Sequence, residues 1–338
     1  MDEQSTYDDI LSKLKSQVLP AVGSGAWRLS AQIHERCGVS LEKHREPICL
    51  WHAIKYILNQ PNSELEAYRF VHRNLEESLY PISAPFPSSA LLSEIIMPVA
   101  YDYLTDSFPI LLVNIKTGTS FYRIDSPTDF VRVGGSSIGA STVHALGKSL
   151  VGVSSVPELV KMAAPLDVPS RVDLLVEDIY GGDCSSIGLP GSIIASCFGK
   201  STDKSSSDDV AKNMCDISKS LIDFMCINTA QLANLHAQMN GCKRALIVGA
   251  IGSRDQVEVT ECIQRVLNIL AKSGGQNEPL EAIFFNQAKY LGCLGALLRR
   301  ESLALGLRGL AIDTATLIDG VNEETYTKLR VLTPPRTL

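Results

Sequence analysis

From residue 109 onward the hydrophobic pattern is that of strands. "PILLVNI" is continuously apolar, as in a strand covered on both faces, whereas "SFYRID" and "DFVRVGG" alternate. Together they predict a three-stranded meander. Apolar residues then recur at helical spacing near 137–149, 156–164 and 171–179, and again over roughly 208–239. Strand "RALIVGA", a helix over 254–273, strand "LEAIFF" and a helix over 288–304 complete the series. Three strands followed by helix, strand, helix, strand and helix predict an α/β protein with one complete actin-like (ribonuclease H-like) lobe at 109–304.

The upstream pattern is different. Residues 2–20 repeat apolar positions at helical spacing and stop at Pro20; the turn "AVGSGA" follows, and helical periodicity resumes from about 28 to 37. "EPICLWHAIKYILN" predicts a second helix with Pro47 in its first turn, where a missing N–H costs little. Residues 62–108 contain "NSELEAYRFVHRNLEES", the Pro- and Ser-rich "YPISAPFPSSA" and one more apolar piece. They read as an inserted segment within a reduced, mainly helical N-terminal part at 1–108. Residues 305–338 form a C-terminal extension whose end, "VLTPPRTL", is expected to fray.

Composition narrows the classes of function. The 338 residues are 45% hydrophobic and 20% charged, with a formal net charge of −6. That is enough apolar material for one large core or two lobes, without the basic footprint of a nucleic-acid binder. The densest charged stretch, "LEKHREP" at 41–47, is of mixed sign. No apolar run approaches the ~20 residues that span a bilayer, so no membrane partner is expected. Nine dispersed cysteines with no CxxC pair fit buried thiols in a reducing, cytoplasmic setting better than disulfides or a zinc site.

Three strand-end turns carry candidate chemistry. "NIKTGTS" at 114–120 joins two predicted strands, "GGSSIGAST" at 134–142 runs from a strand into a helix start, and "VGAIGSR" at 248–254 does the same. Backbone N–H groups at such turns, helped by a helix dipole, favour an anion, and glycine lets them come close. Each is equally compatible with an ordinary connection. A more distinctive string is "IYGGDCSSIGLPGSIIASCFG" at 179–199, whose glycines and small residues suit close approach of two backbones or two subunits.

That string, with "VRVGGSSIGAS", "RALIVGA" and "KYLGCLGALL", resembles the eukaryotic-type (type II) pantothenate kinases, matching their IYGGD-x4-GL-x-G-x3-AS-x-FG pattern almost throughout. The resemblance covers about 18–60 and 109–300. It implies an actin-like fold, ATP with Mg2+, phosphorylation of pantothenate as the first step of coenzyme A synthesis, inhibition by acetyl-CoA or other acyl-CoA, and dimers, with itself or with a paralogous pantothenate kinase.

Position by position, the resemblance sets Lys116, Thr117 and Gly118 in a phosphate turn whose family form is NIGSGVS, so Lys116 replaces a glycine and either adds charge or blocks the backbone's approach. Gly135 and Gly139 fall in the second turn, where Ala140 and Ser141 replace glycines, and Gly249 and Arg254 fall in the third. Ser120 and Arg132 match the pair that holds the polar end of pantothenate. Tyr180 and Ala195 match residues that complete the partner subunit's pocket, and Cys184 stands where a second tyrosine is usual.

"VGSGAWRLS" at 22–30 resembles TGGGAYKFE, whose last residue takes the proton from the substrate hydroxyl; Ser30 occupies that position. A serine is no general base near neutral pH without an activator, and losing such a base costs ~10²–10⁴-fold in rate. Glu35 lies too far around a helix of 3.6 residues per turn to substitute, while His34 lies nearer the right face. The chain also contains no DxGGT hairpin to grip the β and γ phosphates. These departures leave three expectations: a pantothenate kinase of weak activity, a non-catalytic (pseudokinase) partner of an active one, or a coenzyme A/acyl-CoA-binding sensor.

Overall fold

The structure, a computed structural model, describes residues 18–59, 67–70, 96–105, 107–163, 170–201, 210–251, 256–273 and 278–304. A two-stranded parallel unit comes first: β1 (Val18–Val22) and β2 (Ser40–His44), joined by α1 (Ser24–Cys37). Next come α2 (Glu46–Leu58), β3 (Ala67–Phe70), β4 (Ile96–Pro98) and the short α3 (Tyr101–Thr105). The lobe proper runs through β5 (Ile110–Ile115), β6 (Thr119–Ser126), β7 (Asp129–Ser136), α4 (Ala140–Val151) and α5 (Val156–Ala163). After β8 (Leu174–Leu175), α6 (Val176–Tyr180) and β9 (Ile194–Ser196) it continues with α7 (Val210–Asn240), β10 (Arg244–Gly249), α8 (Val257–Ser273), β11 (Glu281–Phe285) and α9 (Leu291–Ala304).

Seven strands form one sheet in the order β4-β3-β11-β10-β5-β6-β7. β5, β10 and β11 are parallel, and β6 and β7 fold back antiparallel as the predicted meander. A meander beside two parallel crossovers, with the first strand in the middle, is the actin-like (ribonuclease H-like) lobe. The continuous apolar run of β5 has the expected cause: Leu111, Val113 and Ile115 face a core made with α4, α5, α7 and α8, while Ile110 and Leu112 face a second core made with α2 and α3. Helices therefore cover both faces.

Part of the segment read as an insertion belongs to this sheet. β3 pairs antiparallel with β11, and β4 pairs with β3. Tyr103 of α3 fastens them: the guanidinium groups of Arg69 (4.9 Å) and Arg244 (3.7 Å) both lie over its ring, and its hydroxyl donates to the two oxygens of Glu281 (2.7 and 2.9 Å). Both arginines also pair with Glu281, each at 2.7 Å.

Several local expectations change. Residues 2–17 lie outside the described residues, but Val18–Val22, read as the end of a helix, is strand β1 with Pro20 inside it. An edge strand tolerates the missing N–H. The helix expected from residue 28 starts at Ser24, within the glycine turn. The helix expected at 171–179 is divided: Leu174–Leu175 pairs with Ile194–Ser196, and only Val176–Tyr180 is helical. All nine cysteines are free, yet Cys215 and Cys293 are exposed rather than buried.

Candidate active-site cleft

The glycine turns converge at the carboxyl ends of the central strands. Lys116 N–H donates to the Gly118 carbonyl (2.8 Å), closing the β5–β6 turn, and Ser141 N–H at the start of α4 donates to the Lys116 carbonyl (3.3 Å). A Cβ on Gly139 would lie 2.6–2.7 Å from the backbone of Gly118, so the first and second turns pack main chain to main chain. Gly139 N–H is capped by Thr142 Oγ1 (3.3 Å). Gly249 (φ +112°) ends β10 against Ile115, whose carbonyl accepts from Ala250 N–H at 2.7 Å. The three turns are thus one assembly, which includes Thr117 between Lys116 and Gly118. Arg254 lies outside the described residues.

The Lys116 side chain does not lie along the sheet. Its ammonium pairs with the carboxylate of Glu46, the first residue of α2. Gly292, in the first turn of α9, lies beside the pair: a Cβ there would be in ordinary contact with both charged atoms, at 3.9 Å, and closer to Val22 of β1, at 3.3 Å. The pair therefore joins the strand-end turns to the β1–α1–α2 side. Asn114, next to the turn on β5, is buried, and its carboxamide oxygen has no partner among the described residues.

Ser120 and Arg132 are brought together. Ser120 lies opposite Gly135 in the β6–β7 ladder, and the Arg132 guanidinium folds back over Gly135, at 2.3 Å from where a Cβ would stand. A bulge between Phe121 and Tyr122 shifts the register and makes that return possible. Ser30 is half-buried on α1. His34, one turn on, is exposed and engaged with Ser40 (Nδ1 to Oγ, 3.3 Å), and Glu35 is exposed.

Residues 174–200 make a folded-back strap. Val176 and Glu177 N–H donate to the carbonyls of Ile193 and Gly191, both at 2.9 Å, and Gly191 N–H donates to Asp183 (2.7 Å). Its base is held by buried Asp173, whose Oδ1 accepts from Phe198 N–H (2.8 Å) and from the Ser220 hydroxyl. Phe198 has φ +61°, so this bond fixes a left-handed backbone in a residue other than glycine. Burial pushes the Asp173 carboxyl up to about 6. The strap covers an apolar cavity of about 340 Å3 against α7 and α8. Tyr180 and Ala195 both line it; Cys184 does not, and its thiol faces Ser186 (3.4 Å). Tyr180 is 60% exposed and Ile179 52%.

The sequence singled out the turns, but it missed Glu46, Asn114 and Asp173. In the sequence Glu46 stands in a mixed-charge stretch and opens a predicted helix, and nothing local links it to Lys116. No helix among the described residues is long and apolar enough to cross a membrane.

An actin-like lobe with glycine turns gathered at its strand ends places this chain in the actin-like (ribonuclease H-like) fold class. Comparison with known proteins makes the assignment narrower. The family model described as Fumble matches residues 3–299, and the chain belongs to that family, the type II pantothenate kinases. It is 33% identical over 291 residues to pantothenate kinase 2 of Oryza sativa subsp. japonica, covering 85% of this chain and 28% of that protein. It is 29% identical over 291 residues to 4'-phosphopantetheine phosphatase of Mus musculus, covering 86% and 32%. Pantothenate kinase 1 of Arabidopsis thaliana is 29% identical over 279 residues, covering 82% and 64%. The chain thus spans about a third or less of the first two relatives and just under two thirds of the third. Among solved structures, glucokinase from Balamuthia mandrillaris in complex with glucose aligns over 87% of this chain and 81% of its own, at 11% identity and a TM-score of 0.38, too distant to bear on function.

Proposed function

We propose that this chain is a pantothenate-kinase-type subunit that holds ATP and pantothenate in the cleft and, by itself, transfers phosphate slowly. The observation that carries the reading is the convergence of the turns at Gly118, Gly139 and Gly249 beside the Ser120–Arg132 pair. ATP, arriving with Mg2+, supplies the γ-phosphoryl group. Lys116, Thr117, Gly118, Gly135, Gly139 and Gly249 are the residues that would hold its phosphates. Ser120 and Arg132 would take the polar end of pantothenate. With Ser30 where the proton acceptor belongs, positioning remains and proton removal does not. The setting is taken to be cytoplasmic.

The test is turnover of ATP and pantothenate by the chain and by two variants. Ser30→Glu is expected to raise the rate, and Arg132→Ala to abolish it by loss of pantothenate binding. No response to Ser30→Glu would remove the proton-acceptor argument.

The exposed Tyr180 and the cavity beneath the strap favour a second reading, in which the subunit pairs with another copy or with a paralogous pantothenate kinase and lends Tyr180 and Ala195 to its pocket. Turnover that arises only on mixing with a paralogue favours this role. Tight acetyl-CoA binding without turnover in either sample points instead to a sensor.

A further inference from the structure

We propose that Glu46 sets the affinity of the cleft for polyphosphate by holding Lys116, so that an incoming phosphate chain has to take the ammonium away from a carboxylate of the same protein. The inference rests on the nucleotide reading above and adds a residue and a direction to it.

Three observations carry it. Lys116 closes the β5–β6 turn with its N–H on the Gly118 carbonyl, and its side chain leaves that turn to reach Glu46. Its partner comes from a different element, the first residue of α2, and Gly292 of α9 lies beside both groups without crowding them. The pair is partly open to solvent, with the Lys116 side chain 38% and the Glu46 side chain 23% exposed, so water and anions reach it. It is not an interior ion pair whose rupture would strand a charge.

Glu46 also has somewhere to remain. A carboxylate in the first turn of a helix is favoured by the N-terminal dipole, so Glu46 keeps a favourable field after releasing Lys116. Lys116 is less constrained still: an ammonium has three donors on a flexible stem and turns readily to a phosphate. What the two anions cannot do cheaply is share it, because a phosphate at Lys116 lies within a few ångströms of the carboxylate and like charges at that range repel. Glu46 therefore discriminates by charge. A triphosphate, with more negative oxygens to offer the ammonium and the turn N–H groups, displaces it more readily than a monophosphate does.

The experiment measures dissociation constants for ATP and AMP, without added metal, on the full chain and on Glu46→Gln, Lys116→Gly and the double variant. Thermal melts establish that each is folded, and Glu46→Ala repeats the comparison with the carboxamide removed as well. Glu46→Gln is expected to tighten ATP about three- to tenfold and to narrow the gap between ATP and AMP. In the Lys116→Gly background the same change is expected to do nothing. If the unaltered chain binds ATP and Glu46→Gln binds it no more tightly, the ion pair is only a strut and the inference falls while the nucleotide reading stands. If the gain persists without Lys116, Glu46 acts by simple repulsion and the holding role is wrong. If no variant binds ATP, the nucleotide reading itself has failed and takes the inference with it.

Discussion

A methyl group on Gly295 would stand 1.7 Å from the carbonyl oxygen of Cys49. The backbones of α9 and α2 therefore touch, and this crossing adds to the core contacts that α2 makes with the sheet. Gly295→Ala should push the helices apart and cost about 3 kcal/mol, the upper end of ordinary overpacking, because main chain cannot rotate away. A Cβ on Gly25 meets nothing within 4 Å, so Gly25→Ala should change stability by under about 0.5 kcal/mol. Urea unfolding of the two variants decides it, and equal midpoints would refute the crossing.

Asp173 should make stability depend on pH. Its carboxyl is raised from 3.8 to about 6, first by burial and then by the nearby Asp223, against the bonds from Ser220 and Phe198 and the charge of Lys219. The folded protein consequently keeps a proton between pH 4 and 6 that the unfolded chain has released. The stability this group contributes is present below 3.8 and is lost as pH rises through 6. Asp173→Asn cannot titrate. Between pH 7 and pH 4 the parent chain should gain up to about 3 kcal/mol relative to that variant in denaturant titrations.

The elements that could be read from the sequence were those whose signal is local. The meander at 110–136 announced itself because β5 is apolar throughout and its neighbours alternate, as the two-sided core requires. The strand at Val18–Val22 was hidden because its partner, Ser40–His44, reads as a polar, charged stretch, and only parallel pairing turns both into a sheet. The helix expected at 171–179 failed for a related reason: Leu174–Leu175 is claimed by Ile194–Ser196, and no window around 174 contains that competitor. For the site, glycine spacing located the turns. The bond between Lys116 and Glu46 joins residues of different elements, and Asp173 acquires its role only when α7 brings Ser220 to it.

Removing the Tyr103 hydroxyl tests the clasp on β3 and β4. Tyr103→Phe keeps the ring contacts with Arg69 and Arg244 but deletes the bonds to Glu281, and should cost about 1.5–3 kcal/mol, as for a bond to a charged acceptor. Tyr103→Ala loses the ring contacts as well and should fall further. Thermal melts of both order the two terms; equal losses would mean that the ring adds nothing.

Thiol labelling should separate the cysteines sharply. Cys215 and Cys293 are exposed and should react first with a maleimide at neutral pH. Burial pushes Cys49 and Cys242 up to about 11 and Cys197 up to about 12, which leaves almost no thiolate there. Peptide mass spectrometry after brief labelling should find these three modified only in denaturant.

Synthesis from the amino end sets an order on the crossing of α2 and α9. Leu50, Trp51, Ile54 and Ile57 leave the ribosome more than two hundred residues ahead of Leu291 and the helix it opens. At typical elongation rates that is roughly 10–50 s during which an oily helix waits for its lid. β3 waits equally long for β11, its neighbour in the finished sheet. Between the emergence of α2 and that of β11 and α9, the nascent chain thus carries one whole face of its sheet unfinished.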